Sequence, residues 1–270
     1  MNIAASKTGE WALKGYFAAL VVFLYVPLVV LVVFSFDNST IQTLPYSGFT
    51  TKWFHAAFSN TDLTSAVQRS AWIGALCACG ATLLGLISAL GLTAKRMRLR
   101  GLVTALVLLP LVVPYVVLAV GMLILLNSLG LHQALWAVLL GHVAIAVPYS
   151  LLIIMPRLQT LDENILDAAR DLGAGPVHAF RRVTLPLIVP ALFSSALIAF
   201  TISFDEFAIA SFLVPAGQET FPLFVYSGAR TPGLEPEVIA IGALVVVASL
   251  VVVTAAELLR VRAERRLTRS

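Results

Sequence analysis

The sequence predicts an all-α polytopic membrane protein with six transmembrane helices. Of its 270 residues, 59% are hydrophobic and only 12% are charged, whereas a soluble domain has roughly 25% charged residues. The apolar residues recur in six runs, each long enough to cross a bilayer core of about 30 Å as a helix of about 20 residues. Positive charges are distributed unevenly between these runs, which indicates the orientation of the chain.

The predicted spans divide the whole chain, residues 1–270, into one transmembrane domain. The first run is longer than the apolar core of a signal peptide and no small-residue cleavage site follows it, so we expect a retained helix. The fifth run has a further apolar tail at residues 208–214. The six spans are predicted at residues 15–36, 70–94, 102–126, 134–155, 187–207 and 238–259.

Lysine and arginine predict the orientation. Fifteen of the 18 Lys and Arg residues lie on one side of this topology, and only Lys52, Arg69 and Arg230 lie on the other. Positive charge accumulates in cytoplasmic segments. We therefore expect both termini and the loop at residues 157–186 to be cytoplasmic. Because the basic residues cluster at span ends, their distribution does not indicate nucleic-acid binding.

Prolines fall inside several predicted spans. A proline removes a backbone N–H donor and bends a helix. Bent helices suit a protein that opens and closes around a path, although membrane helices also tolerate proline without a functional reason. The prolines concerned are Pro27, Pro110, Pro114, Pro148 and Pro190.

The loop at residues 157–186 is the longest polar stretch in the middle of the chain. Thr160 and Glu163 have the spacing of a capping box, which predicts the start of a helix. Gly173 is placed to end that helix in a left-handed conformation. Pro176 is suited to the first turn of a second helix, which we expect to end at Leu185–Pro186.

The second short helix places an aromatic residue beside two arginines. Phe180 with Arg181 and Arg182 is typical of an anchor in a protein interface. The same residues would also suit an amphipathic segment that rests on lipid headgroups, with the arginines near anionic lipid. These residues alone leave both interpretations open.

The spacing D-A-A-x3-G-x9-V-x-L-P resembles the EAA loop of ABC-importer permeases, E-A-A-x3-G-x9-I-x-L-P. Its departures, Asp for Glu and Val for Ile, are conservative and keep the length of the loop. Its position before the fifth of six predicted spans also matches the family. The positions that carry the resemblance are Asp167, Ala168, Ala169, Gly173, Val183, Leu185 and Pro186.

The resemblance implies the type I ABC-importer (MetI-like) permease fold. It further implies that residues 174–182 contain the coupling helix, which sits in a groove of a separate ATP-binding subunit. In that arrangement Gly173 would form the turn and Phe180 would be the docking anchor, with Arg181 and Arg182 beside it.

We expect no cofactor, metal or catalytic site in this chain, and therefore not an enzyme. The nearest approach to a phosphate-binding loop is "GATLLG" at residues 80–85, which lacks the required lysine. ATP and Mg²⁺ would thus be bound by the partner ATPase subunits. Cys77 and Cys79 point to different sides of a helix and are interpreted as small packing residues.

A second polar feature lies late in the fifth span. Asp205 is about 27 Å along a helix that begins at Leu187, at 1.5 Å per residue, which places it near the outer membrane face. An intramembrane charge costs about 2.5–3.5 kcal/mol and usually faces a cavity or pathway. Asp205 and Glu206 therefore predict an acidic mouth for a cationic solute, to which Phe204 and Phe207 could add cation–π contacts. The alternative is that water solvates both acids at the interface.

Two further stretches extend the resemblance. "SFDE" at residues 203–206 and "FPLFVYSGARTPGLEPEVIAIGAL" at residues 221–244 are similar to the C-terminal half of spermidine/putrescine permeases. This implies the import of polyamines, or of a related cation, across a bacterial inner membrane. The implied partners are a periplasmic or extracellular solute-binding protein, a second homologous permease and two ATPase subunits.

Other functions remain as alternatives. Relatives of this type also carry opines, amino-acid derivatives and aminophosphonates, so an ABC importer for another small solute is possible. An ion-coupled secondary transporter belongs to a different class and would be expected to show internal repeats and buried charges near mid-membrane. The sequence indicates neither. His142, inside the fourth predicted span, we expect to be hydrogen-bonded within the bundle rather than to bind a ligand.

Overall fold

A computed structural model describes residues 7–40, 44–94, 99–229 and 236–267. The described chain is largely helical, and one isolated β-bridge pairs Asp37 with Phe49. The helices in chain order are α1 (Lys7–Phe34), α2 (Lys52–Ser59), α3 (Thr61–Thr93), α4 (Arg100–Leu108), α5 (Tyr115–Ser128), α6 (Leu135–Gln159), α7 (Glu163–Asp171), α8 (Pro176–Ala179), α9 (Leu185–Phe204), α10 (Ala208–Leu213), α11 (Phe221–Ala229) and α12 (Pro236–Leu267).

The chain divides into two compact units, one formed by residues 1–64 and 227–270 and the other by residues 65–226. In the first unit, α12 packs against α1 and α2. The segment after α1 is fixed by Asp37: its carboxylate accepts the Ser47 backbone N–H at 2.9 Å, and its carbonyl accepts the Trp53 indole N–H at 2.7 Å. Phe36 stacks on Phe49 beside it.

The second unit is organised around α6, which lies along α9. Small residues permit close approach: a Cβ added to Gly85 of α3 would overlap Ser150 of α6. Ile145 and Ala146 on α6 and Ala199 on α9 are fully buried. The resulting apolar packing surrounds the few polar side chains of this unit and holds them in fixed positions.

The third predicted span is broken rather than continuous. Residues Arg100–Leu111, which end in a 3₁₀ turn, and Tyr115–Ser128 form two helical pieces inclined by 100°. Pro110 lies in that turn, and Pro114 precedes α5 with the extended ψ of 133°. Two prolines four residues apart remove two N–H donors from one short stretch, and each ring crowds the preceding turn, so the helix breaks instead of bending.

The number of spans is approximately the predicted six. Four described helices are long and apolar enough to cross a membrane: Gly9–Phe34, Thr61–Thr93, Leu135–Gln159 and Pro176–Phe204. The broken pair would be a fifth span, and the apolar part of α12, Pro236–Val251, is shorter. Large apolar side chains such as Trp11 and Phe23, each 74% exposed, suit contact with lipid better than with water.

Three local predictions are wrong. Thr160 does not cap α7, because its hydroxyl donates to the Arg157 carbonyl at the end of α6. Asp162 caps α7 instead and accepts the Asn164 backbone N–H at 2.9 Å. The fifth span was predicted to reach residue 207, but α9 ends at Phe204. The second loop helix was predicted to end at Leu185–Pro186, but the helix continues through these residues to Phe204.

Candidate functional site

The loop between α6 and α9 begins with α7 and a left-handed turn. Gly173 has a φ of +83°, and the Ala174 N–H donates to the Ala169 carbonyl at 3.0 Å. This is the αL glycine that commonly follows a helix C-terminus. The predicted turn is confirmed. Asp167 and Ala168 lie on α7, and the Asp167 side chain is outside the described part of the structure.

After the turn, one continuous helix runs from Pro176 to Phe204. Pro176 is at the first turn of α8, as predicted. Leu185–Pro186 does not end this helix. Residues Phe180–Thr184 form a π-helical turn in which the Leu185 N–H reaches back to the Phe180 carbonyl. The wider turn accommodates Pro186, which has no N–H and whose ring would crowd the carbonyl four residues earlier in an α-helix.

The loop forms an open groove of about 460 Å³ between the end of α7 and the helix that begins with α8. The most exposed apolar residues of the loop are Leu172, at 89%, and Val177, at 70%. Phe180 is half-buried, whereas Arg181 and Arg182 are exposed. The groove residues are Ala169, Leu172, Gly173, Ala174, Gly175, His178, Ala179, Arg182 and Val183. The loop therefore presents a partly apolar, basic concave surface.

The two acids after α9 have different environments. Asp205 is the C-terminal cap residue of α9 and is exposed, whereas Glu206 is buried, with 5% exposure. Both Glu206 carboxylate oxygens accept the Ile209 N–H, at 2.8 and 2.9 Å, and Oε2 also accepts the Ala210 N–H at 3.1 Å. Glu206 thus satisfies the first backbone donors of α10.

His142 on α6 completes this buried group. Its Nδ1 lies 2.7 Å from the Ser203 hydroxyl oxygen, and its Nε2 lies 3.2 Å from Glu206 Oε2. The second contact has ion-pair distance but not the alignment of a hydrogen bond. As expected, His142 is hydrogen-bonded within the bundle. Ser203, one helical turn before Glu206, was not singled out from the sequence; its i, i+3 spacing to that acid is the signal that could have found it.

The two phenylalanines predicted beside the acids pack on other rings. Phe204 lies between Phe200 and Phe221, with ring centroids 5.7 and 6.0 Å away. Phe207 contacts Tyr226 at 4.6 Å. Among the described residues, no group of three His, Cys, Asp or Glu side chains could hold a metal ion. Of the two predicted acids, only Asp205 has an exposed side chain.

Several long apolar helices, a buried polar contact between them and an exposed helical loop define a multi-pass membrane transport protein. The chain belongs to the family of binding-protein-dependent transport system inner membrane components, which matches residues 81–269. It is therefore a transport component rather than an enzyme, as predicted.

Curated relatives sharpen this assignment. The chain is 33% identical to the spermidine/putrescine transport system permease protein PotC of Escherichia coli (strain K12) over 245 residues, which cover 91% of this chain and 92% of the relative. It is 37% identical to the putrescine transport system permease protein PotI of the same strain over 257 residues, covering 90% and 89% of the two chains. The predicted resemblance to permeases of this type is confirmed.

Solved structures support the fold. A chain of a bacterial ABC transporter involved in the import of the acidic polysaccharide alginate matches with a TM-score of 0.69 at 14% identity, covering 96% of this chain and 98% of that one. A chain of the MetNI methionine ABC transporter matches with a TM-score of 0.60 at 21% identity, covering 74% and 95%. At these identities the likeness shows the permease fold alone.

Proposed function

We propose that the chain is a permease subunit of an ATP-driven ABC importer and forms half of a translocation path for spermidine, putrescine or a related cation. One observation carries the proposal: the two E. coli polyamine permeases are 33% and 37% identical over about nine tenths of this chain. The exposed carboxylate of Asp205 is chemically suited to a cationic solute.

The loop from Arg157 to Pro186 is the proposed docking surface for an ATPase subunit. Its support is the EAA-type spacing together with the preformed turn at Gly173 and the apolar surface at Leu172 and Val177. ATP and Mg²⁺ would be bound by two such ATPase subunits. A second homologous permease would complete the path, and a periplasmic or extracellular solute-binding protein would deliver the solute.

The positive-inside bias supports an inner-membrane topology with both termini in the cytoplasm. In this arrangement the α7–α8 loop faces the ATPase and the α9–α10 break lies toward the opposite face. ATP binding would close the ATPase pair and move the loop. Alternating access follows if ATP and the loaded binding protein both favour the outward-facing state.

The solute is tested most directly with the complete transporter in proteoliposomes. We expect ATP-dependent uptake of labelled spermidine or putrescine when the cognate binding protein is supplied. A competitor panel of amino acids, opines and aminophosphonates distinguishes the alternative solutes. Uptake driven by an ion gradient without the ATPase would contradict the proposal and favour a secondary transporter.

A further inference from the structure

We propose that His142 is a positioning residue for transport: from α6 it holds the Glu206 carboxylate at the start of α10, and thereby fixes the α9–α10 break on which Asp205 lies. The inference rests on the proposed function, because Asp205 is taken as a solute contact there.

The geometry joins three helices at one point. His142 contacts Ser203 in the last turn of α9 through Nδ1 and Glu206 after that helix through Nε2, at 2.7 and 3.2 Å. Glu206 in turn accepts the N–H groups of Ile209 and Ala210 on α10. A single side chain of α6 therefore contacts the last turn of α9 directly and is linked to α10 through Glu206.

All three residues of this polar contact are buried. His142, Ser203 and Glu206 are exposed by only 1%, 2% and 5%. Away from water, a carboxylate depends on the polar groups that the protein supplies, and removing one of them is costly. Without His142, Glu206 would keep the N–H donors of α10 but would lose its polar contact with α6.

The backbone around His142 is equally constrained. A Cβ added to the preceding residue, Gly141, would lie 2.7 Å from Cγ2 of Ile209. At this point α6 and α10 are thus in direct contact, beside the polar link. Because Asp205 immediately precedes Glu206, a shift of Glu206 changes the direction in which the Asp205 carboxylate is presented.

The test uses the complete transporter and separates KM from the maximal rate. His142→Leu introduces an apolar side chain of roughly similar size without any polar atom, whereas His142→Gln retains an N–H donor. We expect His142→Leu to raise the KM for spermidine about tenfold, the size of a coupling between neighbouring polar groups. His142→Gln should restore the KM to within about twofold. His132→Leu, at an exposed loop histidine, is the matched control.

A double-mutant cycle tests whether the effect passes through Asp205. If His142 positions that carboxylate, Asp205→Asn should raise the KM much less in the His142→Leu background than in the wild type. A purely structural role of His142 would lower the amount of assembled complex and leave the two KM effects multiplicative.

The outcomes distinguish the two claims. No ATP-driven spermidine uptake by the wild-type complex contradicts the proposed function. Wild-type uptake with an unchanged KM in His142→Leu, or with multiplicative effects in the cycle, overturns the role of His142 alone. If neither His142→Leu nor His142→Gln yields an assembled complex, the residue acts in assembly and the positioning role is also overturned.

Discussion

Two polar interruptions divide the apolar chain: the α7–α8 loop and the α9–α10 break. In the loop, charged and apolar side chains are exposed together, as for Arg182 and Leu172. In the break, Glu206 is buried, accepts backbone N–H groups of α10 and lies 3.2 Å from His142 Nε2, whereas Asp205 beside it remains exposed. The polar and apolar groups of the loop are open to a partner, as the proposed function requires, whereas those of the break are largely bonded within the chain.

A polar residue in an apolar chain therefore has two quite different uses. A polar group on an exposed surface is available to a partner, and its substitution should change association without changing stability. A buried polar group is held by specific donors, so its substitution should change stability first. Substitutions in the loop and in the break should therefore differ in whether they change transport or stability.

The turn of the loop should be the most sensitive point for transport. Gly173→Val places a β-branched residue at a φ of +83°, where a non-glycine residue costs roughly 1–2 kcal/mol and a branched one more. No atom lies within 4 Å of the added Cβ, so the strain is in the backbone alone. We expect loss of ATP-driven uptake and of ATPase co-purification, with a normal amount of the chain in the membrane.

Gly173→Asn is the informative partner variant, because asparagine tolerates the left-handed region. It should retain most uptake. Gly101→Val adds the same side chain on α4, again with nothing within 4 Å and with no positive φ, and should leave ATPase co-purification unchanged. Wild-type uptake by the Gly173→Val variant would contradict the proposal that this loop couples the permease to the ATPase.

The two acids of the break should respond differently to loss of charge. Asp205→Asn should raise the KM for a cationic solute and leave thermal stability unchanged, because this carboxylate is exposed. Glu206→Gln replaces one acceptor oxygen by a donor facing backbone N–H groups, and should destabilise the fold by about 1–3 kcal/mol. Uptake kinetics and thermal unfolding of the detergent-solubilised complex measure the two effects. An unchanged KM in Asp205→Asn would contradict the acidic mouth.

The exposed apolar surface of the loop should contribute more to docking than the aromatic residue that the sequence suggested. Leu172→Ser should weaken ATPase binding about tenfold, since a buried leucine side chain is worth roughly 1.5–3 kcal/mol. Phe180→Ala should instead lower the stability of the loop, because Phe180 is half-buried. Leu131→Ser, at a leucine exposed by 42% in another loop, is the control for the quantitative pull-down assay. The reverse ranking would restore Phe180 as the anchor.

Local chemistry explains what the sequence predicts well. The turn at Gly173 and the helix start at Pro176 depend on backbone properties of single residues, and both lie where they were predicted. The apolar runs locate the spans for a similar reason, since length and composition decide whether a helix can cross a bilayer.

Tertiary contacts explain what the sequence does not predict. That Glu206 rather than Asp205 is buried becomes visible only in the tertiary structure, where His142 on another helix lies beside Glu206. The continuation of the helix through Pro186 depends on a π-helical turn, and the 100° break of the third span depends on two prolines acting together. The prolines in the sequence predict a bend in the third span, but neither periodicity nor residue type predicts the size of the break, the π-helical turn or the contact at Glu206.

The smallest effect is expected where α6 meets α10. In Gly141→Ala the new Cβ would lie 2.7 Å from Ile209 Cγ2 and 3.3 Å from Met122 Sδ. Overpacking costs about 1–3 kcal/mol, but alanine is favoured over glycine within a helix by about 1 kcal/mol, so a net loss near 1 kcal/mol is expected. In Gly121→Ala on α5 the new Cβ meets no atom within 4 Å. This variant should therefore be stabilised by the higher helix propensity of alanine alone. Because Ile209 is the residue that must move, Gly141→Ala should cost nothing further in an Ile209→Ala background. If the stability losses of Gly141→Ala and Ile209→Ala in thermal unfolding are additive, α6 and α10 are not in tight contact at this point.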